Sequence, residues 1–309
     1  MRRQLLYCFI VFGCSAILAA LLSVPANAAN IAWVSFHPAD NMPSAAATTA
    51  GFTLAPDIGY TNLLTANGHT VTRILTEEDK ANVSALNSYD LVILGRSVNS
   101  GHYDEDLETA AWNGLTAPLM SVGGYPLRAN RLGYFAGNGI PDTTGAVKLS
   151  VTNPSHPIFA GIALDGSNLM INDFAGIVNL PYAPNTPQRG ISVNTDAIAP
   201  GGVVLATTQV LTGTPPVAAT GSVIAFLPAG TTLTTVPADT LAGPRLVFLT
   251  GSREEAAPSD KAGIYDLSAD GARMFLNAVN FMANIPEPST ASLAMLAITG
   301  LGVVRRRTR

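Results

Sequence analysis

Side chains that do chemistry at neutral pH are sparse in this chain of 309 residues. There are four histidines, His37, His69, His102 and His156, and two cysteines, Cys8 and Cys14. No two histidines have the H-x-x-x-H spacing that places paired imidazoles on one helix face, so neither a metal centre nor a cofactor is expected. His69 follows an Asn-Gly helix exit and His156 lies in a proline turn, which explains both structurally; His37 closes the first apolar run, where a ligand could reach it. Arg96, Arg128, Arg131 and Arg253 supply the planar forks that clamp a carboxylate or sugar acid, although ion pairing with surplus acids is the plainer reading. Glu254 and Glu255 are a candidate acid and base, but adjacent residues usually diverge and ordinary solvated carboxylates fit as well. The run Asp104, Glu105, Asp106 and Glu108 reads as the charged first turn of a helix. Gly123 and Gly124 either let a ligand approach the backbone or make a tight turn. No nucleophile elbow, phosphate-binding loop or dinucleotide fingerprint occurs; Ser97 after Gly95-Arg96 only partly mimics the first.

The elements around these residues alternate. Apolar β-type runs cover Ile31 to Phe36, Thr70 to Leu75, Tyr89 to Leu94 and Ala117 to Val122. Helical periodicity covers Asp57 to Ala66 and Asp104 to Leu115, while Ala45 to Ala55 reads as a loop. That rhythm implies crossover connections, and near-continuous apolar strands imply a sheet covered on both faces. The later part is less regular: strand-like Ala146 to Val151, a Gly-, Pro- and Thr-rich region with a strand at Val203 to Thr207, strands at Ser222 to Leu227 and Arg245 to Thr250, and a last helix from Ser268 to Met282. Met274, Phe275, Ala278, Phe281 and Met282 form its apolar stripe. Ligands of open α/β sheets bind beyond the carboxyl ends of the strands. The candidate rim is therefore His37, Arg96, Gly123, Gly124, Arg128, Arg253 and Glu254.

Both ends of the chain are apolar and arginine-flanked. Arg2 and Arg3 precede a nearly continuous apolar stretch from Leu5 to Leu22, and Ala26-Asn27-Ala28 follows. This is the pattern of a secretory signal peptide, residues 1–28, with Ala26 and Ala28 at the positions a signal peptidase reads and cleavage after Ala28. Both cysteines lie inside it. The expected mature domain holds no cysteine, hence no disulfide, thiolate metal site or cysteine nucleophile. Between Asn30 and Ile285 there are 11 Lys plus Arg against 20 Asp plus Glu, a formal net charge of −9, which excludes nucleic acid as a partner.

At the other end Pro286-Glu287-Pro288 precedes an apolar stretch from Thr290 to Val304 and the basic residues Arg305, Arg306, Arg307 and Arg309. Motif, transmembrane-like helix and basic tail together resemble the PEP-CTERM sorting signal of Gram-negative bacteria, here residues 286–309. The resemblance implies export, transient residence in the inner membrane through the C-terminal helix, cutting near the motif by an exosortase, and release to the cell surface or extracellular matrix.

Four phrases of the middle resemble class I glutamine amidotransferase-like proteins of the trehalose-utilisation type. They are Asp57 to His69, Tyr89 to Gly95, His156 to Gly161, and the helix from Gly271 to Phe281 following Val247 to Gly251. The resemblance implies an α/β, flavodoxin-like three-layer sandwich with a mostly parallel sheet over residues 30–285, with an irregular insertion at about 165–220. Aligned on Pro118, Gly123 falls where that family places its nucleophilic cysteine. Hydrolysis of glutamine is thereby excluded. The resulting expectation is an exported, non-catalytic binding domain, with exopolysaccharide as a possible ligand; the alternatives are a secreted glycan hydrolase using other groups, or a structural matrix protein.

Overall fold

The computed structural model describes residues 28–78, 82–178, 189–212, 217–234, 239–251 and 263–283. All belong to one compact unit spanning residues 28–284. The expected signal helix and the C-terminal helix lie outside the described residues, and among those described no helix is long and apolar enough to cross a membrane.

The chain enters through β1 (Asn30–Ser35), crosses α1 (Ala45–Thr49) and α2 (Ile58–Ala66), and returns in β2 (Thr70–Leu75). β3 (Leu91–Leu94), α3 (Asp106–Asn113) and β4 (Leu119–Ser121) repeat the rhythm. Then come β5 (Asp142–Thr144), β6 (Ser150–Val151), β7 (Arg189–Ser192), β8 (Val203–Thr212), β9 (Val217–Leu227), β10 (Arg245–Phe248) and α4 (Ala269–Met282). Eight strands form one sheet in the order β2-β1-β3-β4-β10-β9-β8-β6, and β5 pairs with β7 in a small second sheet. The five strands from β2 to β10 are mutually parallel, with Ile31 set between Val71 and Leu91; β9, β8 and β6 continue antiparallel.

The parallel strands form where Val, Ile, Leu and Trp succeed one another without a charge, and β1 and β3 are buried almost throughout. The region read as an insertion supplies β7, β8 and the start of β9, and the last two lengthen the main sheet. Ala45–Thr49, expected to be a loop, is helical: Ser44 accepts the Ala47 N–H on its hydroxyl at 3.1 Å, an N-cap bond that favours a helix start by about 1 kcal/mol. Ser268 caps α4 in the same way through the Gly271 N–H at 3.0 Å.

Side-chain alternation divides the faces of β10. Phe248 meets Phe275 of α4 at 5.7 Å between ring centroids, and Phe275 meets Tyr60 of α2 at 5.6 Å. Arg245, on the opposite face, is fully buried against carbonyls at the end of α3. Helices thus cover both faces, and the carboxyl ends of the parallel strands open on one rim.

Candidate functional site

The rim is organised around Arg96, which follows β3. Its Nη1 donates to Thr250 O beyond β10 at 3.1 Å. The side chain lies across two glycines. A Cβ at Gly251 would stand 2.7 Å from Arg96 Nε, so the guanidinium would have to shift, and Gly251 has φ +48°, a left-handed backbone that strains other residues. Gly123 is different. It lacks a left-handed φ, and a Cβ would meet Arg96 Cγ at 3.7 Å and Gly95 O at 3.6 Å, both ordinary contacts. A Cβ at Gly124 would likewise touch only Ile140 and Leu249, at 3.4 and 3.6 Å. Neither glycine is demanded by its own turn.

His37 is buried, with 0% of its surface exposed; its backbone N–H donates to Ser35 Oγ at 2.9 Å and its Nδ1 accepts the Ser44 N–H at 3.1 Å. It anchors the start of α1. The other imidazoles are similarly engaged: His69 Nδ1 with Ala29 N–H, His102 Nδ1 with the Thr76 hydroxyl at 2.9 Å, and His156 Nδ1 with Ile158 N–H at 3.4 Å. Arg128 donates to Tyr125 O and Ser100 Oγ and stands 5.3 Å from the centroid of the Tyr125 ring. Burial, helped by the neighbouring Arg131 charge, pulls its pKa below the usual guanidinium value. Arg131 pairs with Asp104 at 3.1 Å. Arg253, Glu254 and Glu255 lie outside the described residues, as do Ala26 and the motif Pro286, Glu287 and Pro288.

Two buried polar groups beneath this rim escaped the sequence reading. Asp57, fully buried, accepts Trp33 Nε1–H at 2.8 Å and Arg73 Nη2–H at 2.8 Å, and Asp40 accepts Arg73 Nε–H and the Thr61 hydroxyl, each at 2.8 Å. Desolvation lowers the Arg73 pKa, but the carboxylates of Asp57 and Asp40 outweigh it and hold the guanidinium above its ordinary value. In the second group, Asp266 accepts the Tyr60 hydroxyl and the Gly251 N–H, each at 2.6 Å. Burial, reinforced by the Asp266 carboxylate, drives the Tyr60 phenol well above its usual pKa and keeps it protonated. The one available signal was Asp57 itself, at the start of the helical run read over Asp57 to Ala66.

Among the described residues one group has cation-ligand geometry: Glu78, Asp104 and Glu108 have carboxylate oxygens within 4.8 Å of one another. Glu78 also lies 3.5 Å from His102 Nε2. Two of the three carboxylates are exposed, and Asp104 already faces Arg131. Such clusters are common on acidic surfaces.

Residues 284–308 match the PEP-CTERM protein-sorting motif, so the chain carries the signal of exported proteins sorted by exosortase to the surface of Gram-negative cells. No protein of curated function matches the chain. Four solved chains match it, and two of them show the degree of likeness. One is a cytoplasmic protein from Salmonella typhimurium, with 9% identity over 81% of this chain and 98% of that one and a TM-score of 0.44. The other is a ThuA-like protein from Parabacteroides merdae, with 12% identity over 85% and 92% and a TM-score of 0.42.

The contacts around Gly123 make a prediction. Gly123→Cys stays folded, with a loss of no more than about 1–3 kcal/mol at this buried position, because its Cβ meets only ordinary contacts. It releases no ammonia from glutamine, because even a thiolate favoured by the Arg96 charge lacks an imidazole to hand a proton to the leaving ammonia: His37 already serves α1. Calorimetry and an ammonia assay check both; sustained turnover by the variant would show that the rim retains a working base.

Proposed function

We propose that the protein is a non-catalytic binding module of the cell surface or extracellular matrix, built on a flavodoxin-like three-layer sandwich over residues 30–285. Its signal peptide, residues 1–28, is removed by signal peptidase after Ala28, and exosortase cuts near Pro286-Glu287-Pro288. The observation that carries the reading is Gly123 lying under Arg96 at the exit of β4, where the resemblance to amidotransferase-like proteins would put a nucleophilic cysteine. The engagement of all four imidazoles inside the fold supports it. The parallel strands run β2-β1-β3-β4-β10, the second-first-third-fourth-fifth order of flavodoxin-type sheets, whose ligands sit where strand order reverses. Here that point is between β1 and β3, where the Phe36 N–H meets Ser97 O at 2.7 Å. Arg96 and Arg128 give this acidic domain local positive charge suited to uronic or other acidic sugars of an exopolysaccharide.

Screening the exported protein on a polysaccharide array, with analysis of any released products, tests the reading. Binding without product release is expected, and Arg96→Ala weakens it. Release of shortened glycans would instead establish a hydrolase, and neither binding nor release would leave a structural matrix protein.

A further inference from the structure

The bond expected to be cut by signal peptidase lies where the chain enters the sheet. Ala28 is exposed, whereas Ala29 retains 2% of its surface. The Ala29 N–H donates to His69 Nδ1 at 3.3 Å, and Ala29 O accepts the Thr70 N–H at 2.9 Å. One residue later, the Asn30 N–H donates to the Asp90 carboxylate at 2.8 Å, and the Asp90 N–H returns to Asn30 O at 2.9 Å. His69, at the exit of α2, is 4% exposed, and Asp90, at the approach to β3, is exposed. These are the two titratable groups hydrogen-bonded to this corner among the described residues.

We propose that His69 is the receptor for the α-amino group that signal-peptidase cleavage creates at Ala29, so that maturation ends in a docked N-terminus. The inference rests on the cleavage position given under Proposed function. Hydrolysis adds one water across the Ala28–Ala29 peptide. Ala28 leaves as a carboxylate, and the Ala29 nitrogen becomes an amine with an ordinary pKa of about 7.7–8.0. As an ammonium it keeps one N–H on His69 Nδ1, and its two new N–H bonds face the solvent side that Ala28 vacates. The Asp90 carboxylate, bound to the next amide, supplies opposite charge beside it.

Only a neutral imidazole can accept this bond; an imidazolium has no free lone pair and would repel the ammonium. Burial holds the His69 pKa below its ordinary 6.5, which favours the accepting form. A base whose folded pKa is lowered contributes stability that is complete above its unfolded value and is lost as pH falls through the folded one. Docking is therefore firm at pH 7.5 and released by acid, starting as the pH drops below 6.5.

The test is N-terminal sequencing of the exported protein followed by labelling of the α-amine with pyridine-2-carboxaldehyde, folded and urea-unfolded. The sequence is expected to begin at Ala29, with folded protein labelled about tenfold more slowly than unfolded at pH 7.5. The folded-to-unfolded ratio rises toward one as the pH is lowered from 7.5 to below 6.5, and it stands near one in His69→Phe. Protection returns in His69→Asn, whose Oδ1 stands in for Nδ1. A different first residue would overturn the cleavage position and the receptor together. A sequence beginning at Ala29 with equal labelling of folded and unfolded protein, or with protection indifferent to pH, overturns the receptor alone. The pH series needs only the parent protein, so it decides the matter even if His69→Phe fails to fold.

Discussion

Replacing Arg245 with Met is expected to lower the unfolding free energy by about 3–5 kcal/mol, because buried carbonyls lose their donor. Arg245 has 0% of its surface exposed, yet no carboxylate pairs with it in a salt bridge; beside the Tyr134 hydroxyl, its guanidinium donates to Ala117 O at 3.2 Å, Pro244 O at 3.1 Å, Trp112 O at 3.2 Å, Asn113 O at 3.0 Å and Leu115 O at 2.7 Å. Three of these belong to the end of α3 and the turn after it, where helix carbonyls lack intrahelical partners and the dipole is negative. The arginine satisfies them and is in turn stabilised by them. Methionine fills much of the same volume but donates nothing. Trp112 O, Asn113 O and Pro244 O keep the N–H groups of Leu115, Ala242 and Leu119, so the loss falls on Leu115 O and Ala117 O, at about 1–3 kcal/mol for each buried carbonyl left unsatisfied. Arg245→Lys, with three donors on a flexible stem, recovers part of the loss. Urea unfolding of the three proteins checks the order, and an unchanged midpoint for Arg245→Met would show that the carbonyls do not depend on it.

Asp57→Ala follows at about 3–5 kcal/mol, for the opposite charge and the same reason. It leaves the Trp33 indole N–H without its acceptor and deprives the Arg73 guanidinium of its buried carboxylate. Of its two carboxylates Arg73 keeps Asp40, whose side chain is 45% exposed against 0% for Asp57, together with the Ser35 and Thr61 hydroxyls at 3.3 and 3.4 Å. Asp57→Asn preserves the shape but points an amide N–H₂ at one of two donors, so it too is destabilising. The diagnostic is the double mutant with Arg73→Met. Removing both charges leaves no lone buried ion, so the pair together costs less than the sum of the singles, with a coupling of about 2 kcal/mol. Strict additivity would mean that the two residues contribute separately.

Local elements were readable where a single segment decides its own conformation. The run Thr70 to Leu75 became β2 with the same limits, and the periodicities ending at Ala66 and Met282 became α2 and α4. Phe281, placed on the buried stripe of α4, is half-buried and packs its ring on His156 at 4.8 Å. The failures share a cause. α1 depends on the Ser44 cap, and Ser44 is itself held by His37 seven residues away. β8 and β9 extend as Val203–Thr212 and Val217–Leu227, well past the short apolar cores visible in sequence, because cross-strand pairing carries the Thr- and Gln-bearing residues along. At the site, His37 looked available because it ends a strand. Its burial follows from how α1 folds back, which no local pattern encodes.

The amino-acid sequence by itself determined the absence of cysteine beyond residue 14, the acidic balance between Asn30 and Ile285, and the Pro-Glu-Pro motif with its apolar and basic sequel. These are matters of composition and order along one chain, and folding cannot alter them. Tertiary structure alone decided that Arg96 lies over Gly123 and Gly251, that Asp266 holds Tyr60 from 206 residues away, and that Arg245 closes α3 from 133 residues away. The worth of a charge depends on which partners displace its water, and those partners come from segments that meet only when the sheet assembles.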